Sequence, residues 1–598
     1  MTDLLQRLRE RKLVQWGLAY FAAAFALLQG LDLVAQKFSW PEPVMRFAIV
    51  IALIGFAITL VMAWYHGERG EQRASATELL IVALLLAIGG GLLWFVHGRE
   101  PAGGHAPSAQ QATNADKPAA GNFPAQDARA ADEKSIAVLP LFASGGDSKD
   151  DYLGDGISEE VLNALSKLPG LNVIGRASSF QFRGASIDAA KVGRALNVRN
   201  LLAGTVPRAG DDLRITIELI DTVTGKQLWS ERYDRTFKSL FALEDDISGE
   251  VRAALALKLG TAAGQPLVDV ATTNPHAHDL YLRAKQLAYL SDEASLNQSV
   301  VLFNQAVAED PNYAAAWAGL ARTYAFLADA YRAPIDLNAA MRAAAEKAVA
   351  LDPGLAEGHV YLGYLLMADE HDFPAARREA ERGVALNPGS ADAHMFLGLY
   401  WLQADHDHAT ARRELHIAEK LDPLNPWNLY TEMWAATAQG DFAAVLDLAQ
   451  RVKRIDKTFF YLADPLVYAY AVAGRWRECV ERSAQAQTAA GDQPDFAAAI
   501  CHAHSGNVAR AREILEQMQT AARTHYVDHG DIAAIHMALG EKDRALDELE
   551  QAYRDRSQPL LNFWFQPWFV PLHDEPRYRA LHDRIYKTTK LPATTGRP

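Results

Sequence analysis

The chain changes its hydrophobic pattern twice along its length. Three apolar stretches come first, at 13–35, 47–64 and 79–97, and each is long enough to cross the hydrocarbon core of a bilayer. Short apolar and alternating segments follow between 135 and 262, and helix-period patterning runs from 276 to 557. The pattern predicts a multidomain protein with three transmembrane helices, a small α/β domain and an all-α solenoid.

The three apolar stretches predict a membrane anchor over 1–98. A cleaved signal peptide would explain the first stretch alone, but two more follow at once and favour an anchor that contacts the lipid bilayer through 13–97. Basic residues are more numerous on the N-terminal side of the predicted membrane: Arg7, Arg9, Arg11, Lys12, Arg69 and Arg73, against Lys37, Arg46 and Arg99. This bias places the N-terminus in the cytoplasm and the soluble part across the inner membrane, in the periplasm; the inverted topology would place that part in the cytoplasm.

A predicted flexible linker at 99–134 leads into the α/β domain at 135–262, because its Ala, Gly, Pro, Gln and Asp cannot bury enough apolar surface to fold. The glycine-rich runs 145–147 and 154–156 do not fit a phosphate-binding loop, and we expect turns that precede a helix starting at Ser158. The pattern predicts strands at 135–141, 171–175, 198–207, 213–220 and 227–233, and helices at 158–168, 188–196 and 239–259.

The region 276–557 is punctuated at regular intervals. An Asp-Pro or Asn-Pro pair closes successive apolar segments, with prolines 42, 35 and 35 residues apart, and glycine-centred turns then recur at spacings of 34, 32 and 34. A period near 34 residues predicts stacked helix pairs, seven to eight in number, with an insertion near 333–338. The marks are Pro311, Pro353, Pro388 and Pro423 between repeats, and Gly440, Gly474, Gly506 and Gly540 within them.

Between these marks the residues resemble the tetratricopeptide (TPR) pattern. Trp317, Leu320, Ala321 and Tyr324 match its large-Leu-small-Tyr run, and the next two repeats approximate it with the small residues Gly363 and Gly398. The resemblance implies a superhelix whose first helices line a concave groove able to hold a peptide or a protein tail.

The α/β region resembles the TolB N-terminal-like, FlgO-related domain of bacterial envelope proteins. The runs 135–140, 154–160, 176–180, 204–206 and 225–234 carry the likeness, which extends to the tail at 572–578. Relatives sometimes place a cyclase or a winged-helix regulator before the membrane spans. We expect neither here, since only about a dozen residues precede the first span.

Composition further limits which ligands and which bonds the sequence allows. The formal net charge of −14 disfavours nucleic-acid binding. Cys479 and Cys501 either form a disulfide, in an oxidising compartment, or are two buried small apolar residues. The runs 369–372 and 405–408 contain metal-ligand residue types, but they occupy expected intra-repeat turns, so we predict neither a metal nor another cofactor.

The predicted capping segment at 558–590 contains an aromatic cluster. These aromatics would form a ligand surface or cover the apolar face of the last repeat, and we expect the cover. The cluster consists of Phe563, Trp564, Phe565, Trp568 and Phe569.

No set of residues in the sequence suggests catalysis. We therefore expect a non-catalytic scaffold, anchored in the inner membrane, that binds other proteins in envelope assembly or signalling. The alternative is a transmembrane sensor that transmits a periplasmic ligand signal to a cytoplasmic partner.

Overall fold

The computed structural model describes residues 132–142, 151–168, 170–184, 187–209, 212–236, 247, 249–250, 253, 272–328, 330–459, 463–490 and 494–586. These residues all fall within one compact unit, Lys117–Pro598. The predicted membrane anchor at 1–98, nearly all of the linker and most of the predicted helix at 239–259 lie outside them. Among the residues described, no helix combines the length and apolarity needed to span a bilayer.

The α/β domain is built on one mixed sheet with the strand order β2-β1-β3-β5-β4, and β6 pairs with β5. β1 runs parallel to β2 and β3, whereas β5 is antiparallel to β3 and β6. Leu213 and Ile215 of β5 are buried and Arg214 between them is exposed, as alternation predicts. The elements are β1 (Asp132–Val138), α1 (Asp151–Ser166), β2 (Asn172–Ile174), α2 (Arg176–Ser179), α3 (Ala189–Leu196), β3 (Val198–Thr205), β4 (Arg208–Ala209), β5 (Asp212–Asp221) and β6 (Gln227–Thr236).

Helix α1 begins seven residues before the predicted start at Ser158, so the expectation of a turn at 154–156 is wrong. Gly154 and Gly156 lie inside the helix, where they allow close packing. A Cβ on Gly154 would lie 2.1 Å from the carbonyl oxygen of Leu141, and one on Gly156 would lie 2.6 Å from Cδ2 of Leu282. Glycine is therefore required at these two positions because it has no side chain, and not because its backbone is flexible.

The rest of the described chain is a TPR-like solenoid of eight antiparallel helix pairs, followed by two short 3₁₀ turns and a final helix. The first helices of the pairs are α4 (Pro275–Ala288), α6 (Ala314–Leu327), α8 (Ala356–Ala368), α10 (Ala391–Gln403), α12 (Pro426–Ala438), α14 (Pro465–Val472), α16 (Phe496–His504) and α18 (His529–Ala538). The second helices are α5 (Glu293–Glu309), α7 (Pro334–Leu351), α9 (Phe373–Leu386), α11 (His408–Leu421), α13 (Phe442–Ile455), α15 (Trp476–Ala490), α17 (Val508–Ala521) and α19 (Lys542–Arg554). The C-terminal segment contains Gln558–Asn562, Pro567–Leu572 and α20 (Pro576–Tyr586).

In seven of the eight pairs, the turn between the two helices contains one described residue with a left-handed backbone. Glycine provides it in the later pairs, with φ between 66° and 82° at Gly440, Gly474, Gly506 and Gly540. Ser291, His371 and His406 adopt the same conformation in earlier pairs, with φ of 59°, 53° and 54°. The next residue often caps the second helix, as Asp372, Asp407 and Asp441 do by accepting a backbone N–H.

The motif residues lie where two helices approach each other. Leu320 and Ala321 are buried, while Trp317 and Tyr324 are half-buried, and Trp317 donates its indole N–H to the carbonyl of Pro311 at 3.0 Å. Pro311, Pro353, Pro388 and Pro423 all occupy turns between pairs. A Cβ on Gly363 would lie 3.1 Å from the carbonyl of Ala376, and one on Gly398 would lie 2.7 Å from Cγ of Leu415.

Candidate interaction surface

The α/β domain packs against the solenoid, and helix α1 lies against α4, the first helix of the first pair. Tyr152 of α1 donates a hydrogen bond to Asp279 of α4 at 2.5 Å. Lys285 Nζ lies 3.1 Å from Glu159 and 3.2 Å from Glu160. The concave face predicted to hold a partner is therefore in contact with another part of the same chain.

Glu159 is the electrostatic centre of this contact. Burial alone would raise its pKa, but Lys285, Arg176 and the hydroxyl of Tyr289 outweigh burial and hold the pKa below its usual value. Arg176 Nε lies 3.0 Å from the carboxylate, and the Tyr289 hydroxyl donates to it at 2.8 Å. The buried carboxylate is thus compensated by two cationic neighbours, and removing either one would leave buried charge without its partner.

A second contact joins α2 to the turn after α11. Ser178 donates its backbone N–H to Asp422 at 2.7 Å, and its hydroxyl accepts the backbone N–H of Leu424 at 2.7 Å. Burial raises the pKa of Asp422 to about 6, although the hydrogen bonds from Ser178 oppose that shift. Glycine is needed at Gly175, since a Cβ there would lie 2.6 Å from Cγ of Asp422.

The C-terminal segment, Gln558–Tyr586, packs against first helices from the fourth pair onward. Gln403 of α10 is fully buried and donates to Asn562 at 2.8 Å, while Tyr586 donates to the carbonyl of Gln403 at 2.7 Å. Tyr468 of α14 donates to Gln566 at 3.1 Å. The segment thus spans several repeats.

The predicted aromatic cluster faces inward along this segment. Phe563, Trp564 and Phe569 are buried, and Phe565 and Trp568 are half-buried. Trp568 packs edge-on against Tyr468 at 6.0 Å and Phe496 at 5.9 Å between ring centroids. The cluster therefore contacts α14 and α16 as well as the last pair.

Two openings remain near these contacts. An open crevice of about 500 Å³ separates the end of α1 and the start of β2 from the turn before α10. Its walls include Ser166, Lys167, Leu168, Leu171, Asn172, Pro388, Gly389 and Leu421. A small cavity of about 20 Å³ lies between the C-terminal segment and the first helices α12, α14 and α16.

The other residues singled out in the sequence make contacts within the fold. Cys479 and Cys501 form a disulfide that links α15 to α16. His371 stacks on Tyr553 and His406 lies 5.0 Å from the Tyr586 ring, so both turn histidines contact aromatic residues. Within the described ranges, no group of three or more His, Cys, Asp or Glu side chains is arranged to hold a metal ion.

The sequence did not predict a group of four histidines at the edge of the C-terminal segment, two of them buried and two half-buried. His406 and His408 come from one intra-repeat turn, and His573 and His582 come from the segment itself. Burial lowers the pKa of all four, that of His406 to about 4, and in His406 the like charge of His408 and His582 adds to the effect. The one sequence feature that could have revealed this group is that histidines are concentrated in these two stretches.

No protein-family model matches the chain. Several solved structures are similar to parts of the chain. MamA is 22% identical over 28% of this chain and 91% of its own, with a TM-score of 0.21. PilW, a type IV pilus biogenesis factor, is 13% identical over 42% and 96%, with a TM-score of 0.27. YrrB, a TPR protein with an unusual peptide-binding site, is 16% identical over 31% and 88%, with a TM-score of 0.22. Because these TM-scores are low, the repeat architecture rests on the eight helix pairs described in the chain itself and not on the similar structures.

A curated relative is similar in sequence over a shorter region. It is a putative adenylate cyclase of Rhizobium meliloti (strain 1021), 38% identical over 186 residues, or 31% of this chain. The chain spans about a third of that relative's length, 32%.

Proposed function

We propose that this protein is a non-catalytic interaction scaffold of the bacterial envelope, anchored in the inner membrane through 13–97. Its N-terminus lies in the cytoplasm, and its TolB-like domain and solenoid lie in the periplasm. The apolar stretches and the bias of basic residues support this topology. The Cys479–Cys501 disulfide supports it too, because such bonds persist in oxidising compartments.

The crevice beside β2 is the observation that carries the proposal. It lies where two ion-paired and hydrogen-bonded contacts fix the α/β domain on the array, so its walls are preformed. Strand β2 is an edge strand of the sheet, and Lys167 is exposed beside it. An extended polypeptide can add to a sheet edge through main-chain hydrogen bonds while apolar walls hold its side chains. The partner is therefore an extended protein segment.

Site-specific photo-crosslinking in living cells tests this assignment. A photoreactive amino acid is placed at Lys167 in the full chain, and a matched probe replaces Arg477, which is 85% exposed on a second helix. We expect defined protein adducts from position 167 and none of the same size from position 477. Identical adducts from both positions, or none from 167, would exclude the crevice.

A reporter fusion tests the topology separately. Alkaline phosphatase, which is active only outside the cytoplasm, is joined to the C-terminus of the full chain. We expect an active fusion, and an inactive one at normal abundance would reverse the predicted orientation.

The similarity to a protein named as a putative cyclase favours a second candidate, a sensor that transmits a periplasmic signal across the membrane. Crosslinking yields at Arg9 or Arg73 should then change when the crevice is occupied. If these yields stay unchanged although adducts form in the crevice, the sensor function is excluded and the scaffold function remains.

A further inference from the structure

Strand β6 forms one edge of the sheet in the α/β domain. It pairs with β5 on its inner side, and none of the other described strands lies on its outer side. The pairing with β5 is regular from Trp229 to Thr236. The backbone N–H and C=O groups along the outer side of an edge strand can pair with a further strand. Within the described part of the chain, this edge of the sheet is therefore open.

The two faces of β6 have different surroundings. Tyr233 is buried, Trp229 on the same face is half-buried, and the Tyr233 hydroxyl donates to Glu250 at 2.7 Å. On the opposite face the side chains of Arg232 and Asp234 are 53% and 60% exposed. The strand is thus held in the domain through one face, and its charged residues lie in solvent beside the open edge.

Charged residues on an edge strand usually discourage pairing with other strands. The order of the charges on β6 makes an exception for a second copy of the same strand. Two-fold antiparallel pairing sets residues of the same face opposite each other on both sides of a central residue. A centre at Glu231, Arg232 or Asp234 would set that charge against its own copy. A centre at Tyr233 instead sets Arg232 opposite Asp234 of the second copy, and does so twice because of the symmetry.

We propose that β6 is a homodimer interface, in which two copies of the chain join their sheets by antiparallel pairing centred on Tyr233. Backbone hydrogen bonds along the joined edges supply affinity. The charges select the register, because opposite charges directly across an antiparallel pair stabilise it and like charges destabilise it. Within one copy, Asp234 already lies 2.8 Å from Arg214 and 3.2 Å from Arg232, so the dimer extends an existing row of alternating charge. This interface goes beyond the scaffold function and is separate from the crevice.

Sedimentation velocity of the purified full chain in detergent, over a series of concentrations, measures the dimer. We expect a monomer–dimer equilibrium with a Kd of about 1 to 100 µM, as for a small interface, and weaker association at high salt. Arg232→Asp and Asp234→Arg each set like charges opposite one another at both symmetric contacts. Either change should therefore weaken the dimer at least about tenfold.

Mixing the two variants tests the register itself. In a dimer of one Arg232→Asp copy and one Asp234→Arg copy, both symmetric contacts again join opposite charges. We therefore expect the equimolar mixture to dimerise about as tightly as the wild type, although neither variant does so alone. Arg477→Asp, at a position 85% exposed on a second helix, is the matched control and should leave the Kd unchanged.

Hydrogen–deuterium exchange of the wild type keeps the proposal testable even if a variant fails to fold. Peptides from 227–236 should become more protected as the concentration rises through the Kd, because the outer backbone groups then form hydrogen bonds. A chain that stays monomeric at about 100 µM, or a dimer without this added protection, would overturn the proposal. So would a dimer that neither charge reversal weakens, or folded variants whose mixture does not dimerise.

Discussion

Acid should loosen the C-terminal segment from the repeats through His406. The ring of this histidine packs against Tyr586, and burial lowers its pKa to about 4, with His408 and His582 contributing like charge. The neighbouring carboxylate Asp407 acts in the opposite direction on His408. We therefore consider His406→Asn, because asparagine tolerates the left-handed backbone of this turn and does not titrate.

The expected loss of stability follows from the difference between the pKa of His406 in the folded state and its pKa in the unfolded state. An unfolded chain has an ordinary histidine pKa of about 6.5. Since the folded pKa of His406 is lower, the folded state binds fewer protons, and its stability contribution is complete above pH 6.5. That contribution is lost as the pH falls toward 4, which amounts to about 3 kcal/mol over the interval between the two values.

Hydrogen–deuterium exchange of peptides from 558–586 measures the effect. At each pH, the ratio of variant to wild-type rates cancels the intrinsic pH dependence of exchange. We expect wild-type protection to fall relative to the variant by up to about a hundredfold between pH 7 and pH 4. The same substitution at His416, which is 54% exposed, should leave the wild-type pH dependence in place. A ratio that stays constant across this range would refute the assignment.

Three further outcomes are expected. Gly530→Ala places a Cβ 1.8 Å from Cζ of Phe563, so it should destabilise the segment by about 1–3 kcal/mol in thermal melts, although alanine normally favours a helix. Replacing Cys479 and Cys501 by alanine opens a link across 22 residues and should cost about 3 kcal/mol in denaturant unfolding, after thiol counting shows none free in the unreduced wild type. Asp422→Ala leaves the backbone N–H of Ser178 without its acceptor and should cost about 1–3 kcal/mol, seen as faster exchange of peptides that contain 172–180.

The repeat architecture was predictable because its signals are local. A left-handed turn residue leaves a mark in sequence at Gly440, and close helix contact leaves another at Gly363. Gly154 shows the limit of this reasoning, since the same residue type serves turns and close packing. Its packing partner, the carbonyl of Leu141, becomes visible only in the folded chain.

The docking of the α/β domain could not be predicted from periodicity. Ser178 and Asp422 are 244 residues apart, and neither belongs to a recognisable motif pair. Lys285 fits the polar face of a helix equally well whether solvent or Glu159 lies opposite. Periodicity identifies the face of the array that is available for contact, but not the part of the chain that covers it.

This covering determines where a partner can bind. A polypeptide that entered the first-helix face at α4 would have to separate Lys285 from Glu159 and break the hydrogen bond from Tyr152 to Asp279. Entry into the crevice beside Lys167 requires no such separation, because the space already exists between the two docked parts. The α/β domain thus closes the start of the concave face while forming one wall of the crevice, and so both domains should be required for recognition.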